Sequence, residues 1–269
     1  MEDILTTLDD LILTLNDKLK PQLKEWGDFD SKYKVFRGLM NERYPGKVLP
    51  DSYWDKQDAL LQHLLEKKGV VTLSDIPHAK EEFHSPLKNA SLLSLWRGDI
   101  TRLKVDGIVN AANSRLLGCF TPGHECIDNV IHSGAGLQLR DECWDIMMAQ
   151  GHEESTGDVK ITKAYNLPSR YVLHTVGPII EGDLTEEDEF MLNKCYVSCL
   201  EGAIKKGIRT LAFCCISTGV FHFPQQRAAE IALDTVIHYL DKYPVSFDRI
   251  IFNVFTELDW NIYRALLIS

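Results

Sequence analysis

From about Ser91 onward, short runs rich in Val, Ile and Phe alternate with longer helix-patterned stretches. No other feature constrains the fold as tightly. The strand-like runs are Ser91 to Trp96, Gly107 to Asn110, Tyr171 to Thr175, Arg209 to Ile216 and Arg249 to Phe255. Between them Ile127 to Asp141, Glu186 to Lys206, Pro224 to Lys242 and Asp259 to Leu267 carry helical periodicity. Alternation of this kind predicts an α/β fold, a largely parallel sheet with helices on both faces. Ligands of such sheets bind at the loops that leave the carboxyl ends of the strands.

The first 90 residues have a different texture. Leu5, Leu8, Ile12, Leu15 and Leu19 recur at three- and four-residue steps, one apolar stripe that Pro21 stops. A second helical segment runs from Phe29 to Tyr44 and ends at Pro45-Gly46. A third opens on Asp51-Ser52 as a capping pair and aligns Leu60, Leu61, Leu64 and Leu65 before Gly69. Residues 1–90 are therefore expected to form a helical N-terminal extension, and residues 91–269 a single catalytic-sized domain. The extension reads as a packing appendage, with target recognition the other role open to it.

Composition limits the partners. With 45% hydrophobic and 25% charged residues the chain resembles an ordinary soluble globular protein. Its formal charge of −10 repels polyanions, so nucleic acid is disfavoured, and an anionic ligand needs backbone N–H groups or a metal to hold it. No run approaches the roughly 20 apolar residues of a membrane span. Met1-Glu2-Asp3-Ile4 lacks the basic start of a signal peptide, so a cytoplasmic location without membrane contact is expected. Seven cysteines without a disulfide-like spacing suit a reducing compartment. Cys143, Cys195, Cys199, Cys214 and Cys215 sit in apolar contexts and read as core, whereas Cys119 and Cys126 stand apart.

Three strand-exit loops carry candidate ligand groups. Arg97-Gly98-Asp99-Ile100-Thr101 offers a carboxylate that suits a purine amino group, or an ordinary turn. Gly107-Ile108-Val109-Asn110-Ala111-Ala112-Asn113 ends in amides able to hold a ribose hydroxyl or simply to cap a turn. Ser217-Thr218-Gly219-Val220-Phe221 supplies successive backbone N–H groups with a permissive glycine, a nest for phosphate, and a helix starting near Pro224 adds positive potential. No lysine follows, so this is not a P-loop.

These pieces, together with Asn166-Leu167-Pro168, Tyr171 to Pro178 and a last strand through Asn253 to Phe255, resemble the macrodomain family over about Ser91 to Ser269. The resemblance implies a three-layer α/β/α sandwich with a mixed, largely parallel sheet, binding ADP-ribose and in many members cleaving ADP-ribose linkages. It would set Asp99 and Ile100 near the adenine with Asn253 and Phe255, and Asn113 at the distal ribose. Ile127, Asp128, Ser217, Thr218, Gly219, Val220 and Phe221 would wrap the diphosphate. Asp128 aligns with the acidic residue that some hydrolytic members use, although at a helix start it also reads as a cap for Asn129 onward.

Where most macrodomains run through glycines, this chain reads Gly118-Cys119-Phe120-Thr121-Pro122-Gly123-His124-Glu125-Cys126. Thiolates and imidazole are preferred zinc ligands, and Pro122-Gly123 turns the chain so that Cys119, His124 and Cys126 can converge. The pattern is similar to a bacterial zinc-containing macrodomain subgroup, often found beside sirtuin-like ADP-ribosyltransferases and lipoyl-carrier proteins. The resemblance implies one zinc ion per chain. Three protein ligands leave one tetrahedral position open, as in catalytic rather than structural zinc. Two thiolates blunt the acidity of a bound water, so zinc either activates water or grips a ribose oxygen while Asp128 handles the water. His132 would complete a four-ligand structural site, but the intervening helix should carry it away; His174 and His222 read as structural. The function expected is zinc-dependent hydrolysis of mono-ADP-ribose from protein, with Asn113 and Asp128 catalytic. The alternative is a non-catalytic ADP-ribose reader with a structural zinc.

Overall fold

A computed structural model of the chain describes residues 4–269; residues 1–3, part of the chain start read above, lie outside it. Three helices come first: α1 (Ile4–Leu15), α2 (Phe29–Glu42) and α3 (Asp51–Lys68). Their apolar stripes meet, burying Leu8, Leu11, Ile12, Phe36, Met40, Tyr53 and Leu60 in one cluster that also takes in Leu137. The α1 stripe stops earlier than Pro21 suggests, because Asn16 turns the chain and its side chain accepts from Lys18 N. Asp28 caps α2 by accepting from Ser31 N at 2.9 Å. The expected Asp51-Ser52 cap on α3 is a helical first turn instead: the flanking residue is extended Pro50, which makes no side-chain cap. Asp51 there still complements the positive end of the helix. Gly69, at φ 78°, ends α3 as expected.

The sheet has six strands in the order β1 (Leu93–Arg97), β6 (Arg249–Val254), β5 (Thr210–Phe213), β2 (Gly107–Ala112), β4 (Tyr171–Val176) and β3 (Val159–Lys163). All neighbours are parallel except the β3–β4 pair. All six residues of β6 are buried, as a strand covered on both faces requires. The short α4 (Ala79–Glu82) packs on β1, and α5 (Ile127–Ala135) and α6 (Leu137–Gln150) pack on β2 and β3. The helices α7 (Glu186–Lys206), α8 (Gln225–Lys242) and α9 (Glu257–Ile268) contact one another in sequence and cover the other face. The sheet is mixed, with helices on both sides, as the sequence implies.

Local chemistry sets the helix limits. Thr185 and Asp188 form a capping box on α7, four acidic residues fill its first turn, Lys205 and Lys206 its last, and Gly207 (φ 72°) stops it. Ile127 to Asp141, read as one helix, is broken at Gly136 (φ 96°), where any Cβ would lie 2.6 Å from Gln57 Nε2. The break lets buried Gln57 of α3 accept from Leu137 N at 3.0 Å, so the extension caps α6. Among the described residues no helix is long and apolar enough to cross a membrane.

Candidate active site

The carboxyl ends of β2, β5 and β6 open on a cavity of about 900 Å³. It is walled by Asn113 after β2, by Cys214, Cys215 and the 217–221 loop after β5, by Asn253 and Phe255 at the end of β6, and by residues 118–128 leading into α5. Strands β5 and β6 flank one another while β2 sits between β5 and β4, so the chain departs in different directions from neighbouring strands, the usual place for a ligand crevice.

Asp128 lies at the centre of a buried polar chain. Asn110 Nδ2 donates to Asp128 Oδ1 at 2.8 Å, and Asn113 Nδ2 donates to Asp128 Oδ2 at 3.2 Å and to Gly118 O at 3.2 Å. The Asn110 amide also reaches His174 Nδ1 at 3.1 Å, and His174 Nε2 meets Thr162 Oγ1 at 2.9 Å. A neutral imidazole that accepts at Nδ1 and donates at Nε2 satisfies both contacts. Burial pushes the Asp128 carboxyl up to about 6, with the two amides and the more distant Arg140 guanidinium pulling the other way. Burial also holds His174 down to about 3 and His132 well below its ordinary value, so both rings are neutral. His132 Nε2 stands 3.5 Å from Asp128 Oδ1.

Asp128 does not cap its own helix. Cys126 holds the N-cap position and its Sγ accepts from Asn129 N at 3.5 Å, which frees the Asp128 carboxylate to turn inward. A shift of two residues in the helix start separates the two readings of Asp128. Apolar surroundings and the nearby acids push the Cys126 thiol up to about 11.

Cys119, His124 and Cys126 come together: one ligand atom from each lies within 4.8 Å of the other two, and Cys119 Sγ is 3.5 Å from His124 Nδ1. Tetrahedral zinc with Zn–S near 2.3 Å and Zn–N near 2.0–2.1 Å requires an S–N edge of about 3.5 Å. Donor chemistry and spacing both fit the ion. His132 is not part of this group; it clusters with Cys143 and His174 in the core. A ring at His132 is the reason position 118 is glycine, since a Cβ on Gly118 (φ 77°) would meet His132 Cγ at 2.8 Å.

The 217–221 loop is folded back on itself: Phe223 N donates to Ser217 O at 3.0 Å, His222 N to Gly219 O at 3.1 Å, and Ile180 N to Phe221 O at 2.9 Å. The left-handed residue here is Ser217 (φ 63°), not the glycine the sequence offers for that purpose. Among the described residues Ser217 Oγ is buried with no hydrogen-bond partner. The close approach falls on Gly177, whose added Cβ would lie 2.0 Å from Ser217 Oγ. The helix start bordering the cavity is that of α5, through Ile127 and Asp128, while Pro224 and Gln225 of α8 are off the wall. Thr218, Gly219, Val220 and Phe221 line the cavity, and Val220 is 62% exposed at the lip.

At the opposite end Phe255 is 78% exposed on the rim, and buried Asn253 donates from Nδ2 to Gly98 O at 3.0 Å. Asp99 and Ile100 lie off the wall. Asp99 accepts from Thr101 N at 3.0 Å and pairs with Lys68 Nζ at 3.3 Å, and Ile100 is buried. Sequence reasoning missed Phe120 and Arg115 on the wall. The Phe120 ring carries the Arg140 guanidinium at 4.4 Å and that of Arg115 at 5.8 Å. It also missed Cys214 and Cys215, whose apolar neighbours mark them as core, yet whose place at the end of β5 turns them to the cavity. His222, read as structural, is exposed.

The family model described as Macro domain matches residues 109–232. A protein-ADP-ribose hydrolase of Treponema medium is 48% identical over 240 residues, covering 89% of each chain. One from Staphylococcus aureus (strain MRSA252) is 46% identical over 237 residues, covering 88% of this chain and 85% of its own. Among solved structures, the Trypanosoma brucei macrodomain in complex with ADP-ribose superposes with a TM-score of 0.65 at 31% identity, over 86% of this chain and 94% of that one. These relatives span extension and sheet together, and on that match the chain belongs to the macro domain family.

Proposed function

We propose that the protein hydrolyses mono-ADP-ribose from ADP-ribosylated protein, releasing ADP-ribose, with one zinc ion held by Cys119, His124 and Cys126. One observation carries the reading: the Asn113–Asp128 pair, the Cys-His-Cys group and the 217–221 loop wall the same cavity. Its volume of about 900 Å³ suits a dinucleotide-sized ligand. The relatives from Treponema medium and Staphylococcus aureus, named protein-ADP-ribose hydrolases, support the same activity.

In this reading the backbone of Ser217 to Phe221 and the positive end of α5 at Ile127 and Asp128 take the diphosphate. Asn253 and Phe255 take the adenine, and Asp99 and Ile100 meet it only where it projects past the cavity toward β1. Held by Cys119, His124 and Cys126, zinc would supply Lewis-acid polarisation of a water or of a ribose oxygen. The chain's own groups do the rest. Asn113 holds a distal-ribose hydroxyl, and its amide and that of Asn110 fix the Asp128 carboxylate. Burial makes the Asp128 carboxylate more basic than an ordinary one, which suits it to take a proton from the attacking water. The water oxygen bonds to the anomeric carbon as the bond to the protein side chain breaks, and the proton taken up by Asp128 passes on to the departing side chain. A lipoyl-carrier protein modified by a sirtuin-like transferase is the target class to which the subgroup resemblance points.

The test is incubation of zinc-loaded protein with mono-ADP-ribosylated protein, following free ADP-ribose. Release at many turnovers per chain is expected. Tight ADP-ribose binding with no release would leave a reader with a structural metal.

A further inference from the structure

The metal-binding loop has no secondary structure of its own between the end of β2 at Ala112 and the start of α5 at Ile127. Thr121, Pro122 and Gly123 are exposed at its tip. Such a segment presents three ligands in register only if something outside it fixes the backbone. We propose that Arg37 and Asn41 of α2 are the positioning residues that do so, making the N-terminal extension a working part of the metal site. This rests on the assignment of Cys119, His124 and Cys126 as metal ligands.

The bonds converge on the loop from one side. Arg37 Nη2 donates to His124 O at 2.8 Å and to Asn129 Oδ1 at 2.9 Å. Asn41 Oδ1 accepts from Gly123 N at 3.0 Å, and Asn41 Nδ2 donates to Ser133 Oγ at 3.1 Å. Ser133 Oγ in turn donates to Asn129 Oδ1 at 3.2 Å, and Asn129 Nδ2 donates to Thr121 O at 3.1 Å. The far end of α2 is tied to the same loop: Arg140 Nη1 donates to Met40 O, Asn41 O and Arg43 O, while its Nη2 reaches Cys119 O at 3.4 Å. Pro122 packs directly on α2 at Gly38, where an added Cβ would lie 3.6 Å from Pro122 Cβ.

Ordinary helix packing does not need this arrangement. Apolar contacts would dock α2 equally well, whereas Asn41 is buried and meets its polar needs on the loop and on α5. Fixing the carbonyl of His124 and the amide before it sets the direction of the imidazole that supplies Nδ1 beside Cys119 Sγ. Partners that orient a ligand in this way typically change metal affinity by about 10–100-fold when removed.

The test uses the full chain, zinc-loaded and chelated, with Arg37→Ala, Asn41→Ala and Arg37→Lys. Zinc affinity is read by competition with a chromophoric chelator, and amide hydrogen exchange of residues 119–126 is read in the chelated protein. The alanine variants are expected to lose about 10–100-fold in zinc affinity and to speed exchange at Gly123. ADP-ribose affinity of the chelated form should stay within about twofold. Arg37→Lys, which keeps one charged donor near His124 O but gives up the second bond to Asn129 Oδ1, should recover only part of the lost affinity. Folded alanine variants with wild-type zinc affinity, or with unchanged exchange at Gly123, would overturn the proposal. If an alanine variant does not fold, Arg37→Lys decides by the same two readings, with an intermediate zinc affinity expected and a wild-type value overturning it. A wild-type chain that takes up no zinc would instead refute the metal assignment, a result separate from variants that match a zinc-binding wild type.

Discussion

Asp128 carries a raised carboxyl because burial outweighs the donors on both of its oxygens, so the folded chain holds that proton more tightly than the unfolded one. Its contribution to stability is complete below the ordinary value of 3.8 and is lost as pH climbs through about 6. In the chelated protein, Asp128→Asn should therefore gain on wild type by ~2 kcal/mol between pH 4.5 and pH 8, read by urea unfolding, while losing turnover. A gap that stays constant with pH would show an ordinary carboxyl. Asn113→Ala should cost about 100-fold in turnover with a much smaller loss of ADP-ribose affinity, the split expected of the proposed role at the reacting sugar. Equal losses would assign it to ground-state binding. Cys119→Ala and His124→Ala should abolish hydrolysis and empty the zinc site with circular dichroism unchanged. The Cys-His-Cys group was legible in sequence because its members are neighbours and a proline-glycine turn folds them together. The inward turn of Asp128 was only half legible, because an N-cap at Cys126 and one at Asp128 differ by two residues of helix phase.

Loops and helix breaks are where residue chemistry becomes architecture. Five strands and most helices could be read from apolar runs and caps, but β3 could not: Val159–Lys163 is a short edge strand with Lys160 and Lys163 in it, and only pairing with β4 makes it a strand. The break at Gly136 was hidden because a glycine inside a helical pattern is usually tolerated, and its cause, Gln57, is supplied by α3. Gly118 is a comparable device beside the loop of Cys119, His124 and Cys126. Gly118→Ala must hold an L-residue at φ 77° and push His132 aside, so a stability loss of at least about 2 kcal/mol is expected. Zinc uptake should fall with it. An unchanged thermal midpoint would mean the loop has a second conformation of equal stability.

At the scale of the whole molecule, the extension and the sheet read as one unit. Leu137 of α6 joins the cluster of α1, α2 and α3, and buried Arg140 donates to three carbonyls at the end of α2. These contacts link residues 80 to 100 positions apart, as between Leu137 and Gln57 or Arg140 and Met40, which no local pattern announces. The chain should unfold in a single cooperative transition, and Phe36→Ala should lower that transition by ~3–5 kcal/mol without splitting it. Two transitions would make the extension an independent body. Zinc titration into fully chelated protein, with free ADP-ribose followed from mono-ADP-ribosylated protein, tests most directly whether a metal works on the sugar. Activity should return in proportion to zinc and level off at one ion per chain; undiminished release from protein shown to be metal-free would contradict it.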